Sequence, residues 1–567
     1  MNLFDSLYGF LGYVVAFVPM LGILVFVHEL GHFAMAKLFG VRVLKFSLGF
    51  GSPIGIGRYR LRWERGGTEY VVAWVPLGGF VKMLGEPLHG GDDEEEVPDA
   101  APEDYLNSKP TWQKLAISFA GPAMNMVFPV VIFVALLAMG LPKESSVIGL
   151  VEPESPAARA GLQVGDRLIA IDGDPVEWWA QVAHTLRNNA GATLALRVER
   201  AGGVFETELS IDARPGFDEF GGKATVGWIG IGHRRLPALI GVPDGGSWAA
   251  AAGLRSGDLI AQVAGVEVPD WEALRQAYET HPSGSGEVEL RLQRGRDSDL
   301  VDVAVPATGS LEGLGLVPAT ILVDQVSEAS PAEAAGLQRG DLILAVDAAP
   351  VGSFNTFADI VQSSEGRALQ ITYARRGETA TVQIAPEERL VPGPFDIEGM
   401  EQKTYLIGIT HALATLQGAT EIDRERNPLI SIPRAVDRTL AVTAVYLRGL
   451  AKLATGEIGT KSLTGPIGIA EIARESLRIS WLAYVQMMVM ISINLAIVNL
   501  LPIPILDGGQ ALIYLLEGVK RSPISLRTRE IVQTVGLSMV LMLMGLAFWN
   551  DLSRHWNNFV EWLTPGL

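Results

Sequence analysis

The chain has 567 residues, a formal net charge of −18 at neutral pH, and 48% hydrophobic residues. This length exceeds that of one compact domain, and the hydrophobic content indicates membrane-spanning segments. The negative charge argues against a nucleic-acid partner, and the absence of cysteine excludes disulfides and thiolate metal ligands. The N-terminal residues lack the basic region of a secretory signal peptide, so we expect the first hydrophobic segment to be a retained span.

Residues 1–40 are predicted to form a transmembrane helix that contains the motif H-E-L-G-H. No charged residue lies between Ser6 and Val27, and the motif then places His28 and His32 one helical turn apart. H-E-x-x-H on a helix is typical of a zinc site, with Glu29 as the general base. A charged group at mid-membrane costs about 2.5–3.5 kcal/mol, so a cluster there indicates function. The alternative is that the imidazoles merely reach interfacial water.

Residues 41–110 are predicted to be a cytoplasmic, membrane-associated β-loop followed by an acidic linker, because β-prone residues alternate with Gly-Gly pairs. An ordinary cytoplasmic hairpin loop is the alternative. Residues 111–142 are predicted to form the second transmembrane helix.

The region between the second and third spans repeats the pattern A-G-L-x-x-G-D three times. In each copy we predict a short helix that ends in a glycine, a Gly-Asp turn and then a strand. The pattern resembles bacterial PDZ domains, which bind extended peptides by adding a strand to a sheet edge. We place the three PDZ-like modules at 145–213, 226–307 and 313–387. The alternative is that they are spacers or steric gates without a ligand.

Three glycines lie ahead of the second and third module cores, at Gly230, Gly232 and Gly315. They are candidates for carboxylate-binding loops, although isolated glycines are usually turns.

The rest of the chain is predicted to contain two further spans. Residues 388–478 form a linker with an amphipathic helix, and 479–509 form the third transmembrane helix with an L-D-G motif. A cytoplasmic loop at 510–530, a fourth transmembrane helix at 531–550 and an extracytoplasmic tail at 551–567 follow. Basic residues are concentrated in the two loops placed inside, so the three modules face outward.

Two histidines do not complete a catalytic zinc site, which usually has three protein ligands and a water. Asp507 is an acid at the end of a long apolar run, after Pro502 and Pro504 and before two glycines. The prolines break the helix, and a broken helix at membrane depth is tolerated only inside protein or beside a wet cavity. Asp507 is therefore the candidate third ligand. The alternative is that it marks the membrane–water boundary.

H-E-L-G-H in the first span, N-L-L-P-I-P-I-L-D-G-G in the third and A-G-P-A-M-N in the second together resemble the site-2 protease family of intramembrane zinc metalloproteases. The resemblance implies one zinc ion per chain, bound by His28, His32 and Asp507, with Glu29 as general base. It also implies that Asn125 contacts the substrate or the transition state.

The expected fold is a polytopic α-helical membrane protein with about four transmembrane helices, a membrane-associated β-loop and extracytoplasmic PDZ-like α+β modules. The resemblance implies a bacterial inner-membrane protease with periplasmic modules that gate access to the site. Its implied substrates are single-span membrane proteins, such as anti-sigma factors after a first cleavage, and remnant signal peptides.

Two other functions fit parts of the pattern. One is a membrane-anchored PDZ peptide-binding scaffold with a non-catalytic metal site, which the intact Glu29 disfavours because a structural site needs no base. The other is a zinc peptidase that acts on soluble peptides, which the depth of the motif within the first span disfavours.

Overall fold

The computed structural model describes residues 3–56, 59–85, 100–217, 223–295, 300–391, 402–411, 416–456, 464–522 and 524–554. The acidic run at 92–96 and most of the predicted C-terminal tail lie outside these residues. The chain divides into two compact units. The first comprises Met1–Gly140, Pro392–Glu401 and Arg424–Leu567, and the second comprises Leu141–Val391 and Gln402–Asp423.

The first unit is a helical bundle with one small sheet. Its helices are α1 (Leu3–Leu38), α2 (Thr111–Met139), α3 (Pro428–Thr455), α4 (Pro466–Ile479), α5 (Trp481–Asn499), α6 (Asp507–Lys520) and α7 (Leu526–Arg554). Among the described residues, four segments are long and apolar enough to cross a membrane, as predicted: Leu11–Leu38, Thr111–Met139, Trp481–Asn499 and Arg527–Ser553.

The first two spans pack closely because of a glycine in the H-E-L-G-H motif. A Cβ atom at Gly31 would lie 2.2 Å from the carbonyl oxygen of Ala120 on α2. Only a glycine allows this separation, so Gly31 determines how closely α1 and α2 approach each other.

The sheet of the first unit follows α1 directly. Strands β1 (Val43–Pro53) and β2 (Thr68–Met83) are antiparallel. Strand β2 bends, so that β1 pairs with both of its halves; Leu48, for example, faces Val72 on one side and Gly79 on the other. Buried residues of both strands pack against the ends of α1 and α2: Val43, Phe46, Val81 and Met83 against Ala36 and Ile117. Shorter strands Gly55–Ile56, Tyr59–Arg60 and Arg62–Arg65 complete this region.

The amphipathic helix α3 is attached to the membrane helices along one face. Its apolar residues Val442, Tyr446 and Leu450 pack in one cluster with residues of α2 and α5. Arg438 lies over the ring of Phe133 on α2, with 5.7 Å between the guanidinium carbon and the ring centroid. The sequence pattern predicts the helix, but it did not indicate that α2 and α5 would be its partners.

The predicted third span and the loop after it differ from the structure. Helix α5 ends at Asn499, and α6 then begins at Asp507 and continues to Lys520. The prediction of a loop at 510–530 is therefore wrong for its first half. Helix-forming residues follow Gln510, and they continue the helix that starts at Asp507.

The second unit contains three modules with the same internal order of strands. Each has a four-stranded antiparallel sheet, two short helices in equivalent positions and its own buried apolar core, and the second module has a further short helix at Leu311–Leu314. The first has strands Arg167–Ile171, Asp174–Pro175, Thr193–Arg200 and Gly203–Ser210, with helices Pro156–Arg159 and Trp179–Asn188. The second has strands Asp258–Val263, Val266–Glu267, Glu287–Arg294 and Leu300–Pro306, with helices Trp248–Ala251 and Trp271–Glu279. The third has strands Leu342–Val346, Ala349–Pro350, Leu369–Arg375 and Glu378–Ile384, with helices Pro331–Ala334 and Phe354–Ser363.

A second small strand pair closes each module, and it changes the predicted boundaries. The pairs are Leu150–Val151 with Ile231–Gly232, Ile240–Gly241 with Val317–Pro318, and Val323–Val326 with Ile409–His411. The limits 145–213, 226–307 and 313–387 therefore assign the closing strands to the wrong module or omit them. Gly230 and Gly232 therefore belong to the first module and Gly315 to the second. The A-G-L-x-x-G-D pattern marks only the middle of each copy, so it does not indicate where a module begins or ends.

The aspartate of each Gly-Asp turn has a structural role. Asp166, Asp258 and Asp341 are buried, and their carboxylates pair with Arg200, Arg294 and Arg375 at 2.6, 2.8 and 2.7 Å. Each carboxylate also accepts a hydrogen bond from the backbone N–H three residues earlier. The repeated motif thus joins a turn to the sheet in every module.

Candidate metal centre

Three predicted ligands from distant parts of the sequence meet in the first unit. His28 Nε2 lies 3.1 Å from Asp507 Oδ2, and His32 Nε2 lies 3.4 Å from Asp507 Oδ1. The two Nε2 atoms are 3.3 Å apart. One possible ligand atom from each residue lies within 4.8 Å of the other two. Both imidazoles are buried, so these atoms converge inside the protein.

The break between α5 and α6 places Asp507 at this point. Asp507 is the first residue of α6, and the chain folds back so closely that its next two residues must be glycine. A Cβ atom at Gly508 would lie 2.3 Å from the carbonyl oxygen of Leu500, and one at Gly509 would lie 2.1 Å from that of Ile503. The L-D-G-G motif therefore combines an acid with the two glycines that allow the chain to present it.

The ring orientation of each histidine is set by a contact on α2. His32 Nδ1 lies 2.8 Å from the carbonyl oxygen of Ile117, which can only accept a hydrogen bond. Nδ1 therefore carries the proton, and Nε2 has a free lone pair directed at Asp507. His28 Nδ1 lies 3.1 Å from Nδ2 of the fully buried Asn125 amide, whose Oδ1 is buried without a hydrogen-bond partner in the described part of the chain. With this amide turned by 180°, Oδ1 accepts the His28 Nδ1–H and leaves Nε2 free for a metal ion. Such contacts to the second ring nitrogen are typical of metal-ligating histidines.

A glycine on α2 leaves the space in which the two imidazoles meet. A Cβ atom at Gly121 would lie 2.3 Å from His32 Nε2 and 2.8 Å from His28 Nε2. Any side chain at this position would enter the volume between the candidate ligand atoms. The A-G-P-A-M-N motif thus contributes the empty volume through Gly121 and the contact to His28 through Asn125.

Glu29 lies in the same cavity as the three candidate ligands. The cavity has a volume of about 190 Å³ and is lined by His28, Glu29, His32 and Asp507 together with residues of α2, α6 and β2. Glu29 is only 9% exposed. A Cβ atom at Gly79 on β2 would lie 3.0 Å from Glu29 Cγ, so the second glycine of the Gly78-Gly79 pair allows the strand to pass beside this carboxylate.

The donor set fits a zinc ion by chemistry and by spacing. Two imidazole nitrogens and one carboxylate oxygen are a usual catalytic zinc set, which leaves a fourth position for water or substrate. Ligands about 2.0–2.2 Å from a tetrahedral zinc ion lie roughly 3.3–3.6 Å from one another. The two Nε2 atoms are 3.3 Å apart, and they lie 3.1 and 3.4 Å from the two different carboxylate oxygens of Asp507, so each of these separations is close to this range.

The structure adds residues that sequence reasoning did not place at the site. Asn499, the last residue of α5, has its Nδ2 atom 3.4 Å from His28 Nε2, and Ser118 Oγ donates to the Asp507 carbonyl oxygen over 3.4 Å. Lys114, Gln510 and Tyr514 line the cavity. Asn499 begins the N-L-L-P-I-P-I-L-D-G-G motif that contains Asp507, so its place in the motif could have indicated it. No spacing rule indicated the other four.

Comparisons with known proteins identify the family of the chain. The model of peptidase family M50 matches residues 16–543. The chain is 29% identical over 546 residues to the regulator of sigma-E protease RseP of Escherichia coli K12, covering 96% of this chain and 99% of the relative. It is 28% identical over 550 residues to a protein of Neisseria meningitidis serogroup A that is named as a zinc metalloprotease, covering 95% and 99%.

Among solved structures, the PDZ domain of an SdrC-like protein from Listeria monocytogenes is 24% identical, with a TM-score of 0.14, and covers 17% of this chain and 90% of that domain. The family match extends from the first span through the fourth and includes H-E-L-G-H, A-G-P-A-M-N and L-D-G-G. The chain therefore belongs to peptidase family M50.

Proposed function

We propose that this protein is a zinc-dependent intramembrane protease that hydrolyses peptide bonds within or near the transmembrane segments of single-span membrane proteins. The observation that carries the proposal is the convergence of His28, His32, Asp507 and Glu29 on one cavity. That cavity lies among helices of which several are long and apolar enough to cross a membrane. A soluble peptide substrate would not require the site to be built into such helices.

His28, His32 and Asp507 would hold one zinc ion. A bound zinc ion would supply Lewis acidity toward a water molecule and toward the scissile carbonyl group. The contacts of Ile117 and Asn125 to the Nδ1 atoms of the histidines keep both Nε2 atoms directed into the site. Asn125 therefore orients a ligand in this proposal, whereas the family resemblance alone suggested a contact to substrate.

Glu29 moves the proton. Its carboxylate accepts a proton from the attacking water as the water oxygen bonds to the carbonyl carbon. It then donates this proton to the amide nitrogen as the C–N bond breaks, which leaves a free carboxylate and a free amine. The adjacent position on α1 and the shared cavity support this role.

Strand β2 is suited to hold an unwound substrate. Residues Gly79, Phe80, Val81 and Met83 of its second half line the cavity. This half pairs with β1 on one side, and no other strand in the described part of the chain pairs with its second side. A substrate helix hides its peptide bonds in its own hydrogen bonds, so it must unwind before cleavage. Addition to the open edge of β2 would stabilise the unwound strand.

The three outer modules would select substrates by restricting access to the site. We place them on the periplasmic side of the bacterial inner membrane, because the loops rich in Lys and Arg connect the other ends of the spans. Single-span proteins trimmed by a first protease, such as anti-sigma factors, and remnant signal peptides are the proposed substrates. The name of the Escherichia coli relative, regulator of sigma-E protease, supports a substrate that acts in sigma-factor regulation.

A second function, peptide binding by the modules, is favoured by one observation. The second unit contains a cavity of about 410 Å³. Its walls include the second module's helix and closing strand, at Trp271, Leu316 and Val317, and residues of the other two modules. A mostly apolar cavity between a helix and a strand edge is suited to an extended peptide.

Cleavage of a single-span reporter by the purified protein in proteoliposomes tests the proposed protease. Glu29→Gln should retain zinc and lower the turnover rate by about 10²–10⁴-fold, the typical cost of losing a general base. Cleavage by this variant at the wild-type rate would refute the mechanism. A wild-type protein that binds zinc and peptides but cleaves nothing would favour the scaffold.

A further inference from the structure

Two basic side chains lie beside the catalytic cavity and have no role in the proposed mechanism. Lys114, near the start of α2, lines the cavity together with Tyr514 of α6. Lys114 Nζ lies 5.8 Å from the centroid of the Tyr514 ring, and the guanidinium carbon of Arg529 on α7 also lies 5.8 Å from it. Cations from two different helices therefore converge on one aromatic ring at the edge of the site.

One of these cations has side-chain nitrogens without a hydrogen-bond partner. Arg529 Nε and Nη2 are buried and have no hydrogen-bond partner in the part of the chain that the structure describes. Glu517 on α6 is the acid that acts electrostatically on Lys114, and its Oε1 atom accepts a hydrogen bond from the Ile524 N–H over 3.1 Å. Buried guanidinium N–H groups that donate to nothing are unfavourable. An anionic ligand would satisfy them.

The cations lie at a defined position relative to the candidate ligands. Lys114 precedes Ile117 and Ser118 on α2 by about one turn, and those residues contact His32 and Asp507. Tyr514 follows Asp507 on α6 by about two turns. With a rise of about 1.5 Å per helical residue, Lys114 and Tyr514 are roughly 5–10 Å from the ligands along their helices. An extended chain covers that distance in about two or three residues.

We propose that Lys114 and Arg529 form an acid-selective subsite that binds the carboxylate of an Asp or Glu two or three residues from the scissile bond. The inference rests on the proposed function and adds a sequence preference to it. A substrate carboxylate fits better than a lipid phosphate, because Lys114 lines the cavity that also contains Glu29. Charge-assisted hydrogen bonds to a carboxylate would satisfy the buried nitrogens of Arg529.

The test uses single-span reporters that differ only by one Glu, Gln or Lys at each position within three residues of the cleaved bond. At one position the wild-type protein should have a kcat/KM at least about tenfold higher for Glu than for Gln. Lys114→Gln and Arg529→Gln should remove this preference, and Lys114→Glu should transfer it to Lys. Arg527→Gln, an exposed basic residue on the same helix, is the matched control and should retain it.

Binding of the same reporters to Glu29→Gln, measured by fluorescence anisotropy, separates the subsite from the chemistry. If the wild-type protein cleaves nothing but binds the Glu reporter at least about tenfold more tightly, the subsite is supported and the proposed protease fails. An equal effect of Lys114→Gln on all reporters would overturn the subsite. A dependence on anionic phosphatidylglycerol in the vesicles that is the same for Glu and Gln reporters would also overturn it, in favour of a lipid contact.

Discussion

His28 Nε2 lies 3.1 Å from Asp507 Oδ2, so the first membrane helix and the helix that follows the broken third span meet at one pair of atoms. The contact joins two residues that are 479 positions apart in the sequence, and His32 adds a second contact to the other carboxylate oxygen. The three residues can form a metal site only together, and each can be tested by a single substitution.

Asp507→Ala should abolish zinc retention while the helices stay folded. Losing a residue that only orients a ligand typically costs about 10–100-fold in metal affinity, so losing a ligand should cost more than about 100-fold. Zinc content after dialysis against a chelator measures this. Asp437→Ala, which removes an exposed acid on α3, is the control and should retain zinc. Full zinc occupancy in Asp507→Ala would remove Asp507 from the site.

Asn125→Leu should weaken zinc binding by about 10–100-fold, because His28 would lose the partner of its Nδ1 atom. Asn125→Asp, which retains an acceptor oxygen, should recover much of the affinity. Competition with a fluorescent zinc chelator gives the affinity, and kinetics on the reporter give KM. A raised KM with unchanged zinc affinity would instead support the contact to substrate that the family resemblance implies.

The candidate residues that converge on the cavity are predictable from the sequence to a larger extent than their surroundings. His28, Glu29 and Asp507 are conspicuous because ionisable groups are costly at membrane depth. The contact of Asn499 to His28 and the space beside Gly121 depend on how α2 and α5 pack, which no local pattern encodes.

The limits of the three modules were mispredicted for a related reason. Each closing strand is separated in sequence from the motif that identifies its module, and in the first module a hairpin, Asp212–Phe217 with Lys223–Trp228, lies between them. A two-residue strand such as Ile231–Gly232 has no periodicity of its own, so only its pairing partner assigns it.

Gly121→Ala should disrupt the metal site although it adds a single methyl group. The new carbon would lie 2.3 Å from His32 Nε2, well inside van der Waals contact, and it cannot move without shifting α2. We expect loss of zinc and of activity together. Gly22→Ala on α1, where nothing lies within 4 Å of the new carbon, is the matched control and should behave as wild type. Wild-type zinc binding by Gly121→Ala would contradict the observed spacing.

Removing the three modules should allow the protein to cleave substrates that the full chain excludes by size. Leu141–Glu144 and Thr420–Asp423 form an antiparallel ribbon in which Glu144 faces Thr420. Residues 145–419 can therefore be replaced by an Asn-Gly turn that continues the ribbon as a hairpin. The shortened protein should retain zinc and should cleave reporters that still carry a bulky outer domain. Retained zinc with unchanged selectivity would show that the modules are not a size filter.

The orientation of the modules can be mapped with single cysteines, because the chain has none. Ser146 lies within the first module but is fully buried, so it is a poor labelling site. Ser285 in the second module and Ser522 after α6 are both exposed. In intact cells, Ser285→Cys should react with a membrane-impermeant maleimide and Ser522→Cys only after lysis, because the basic residues around Ser522 keep that loop inside. The reverse labelling pattern would place the modules in the cytoplasm and would rule out their proposed role as a periplasmic filter.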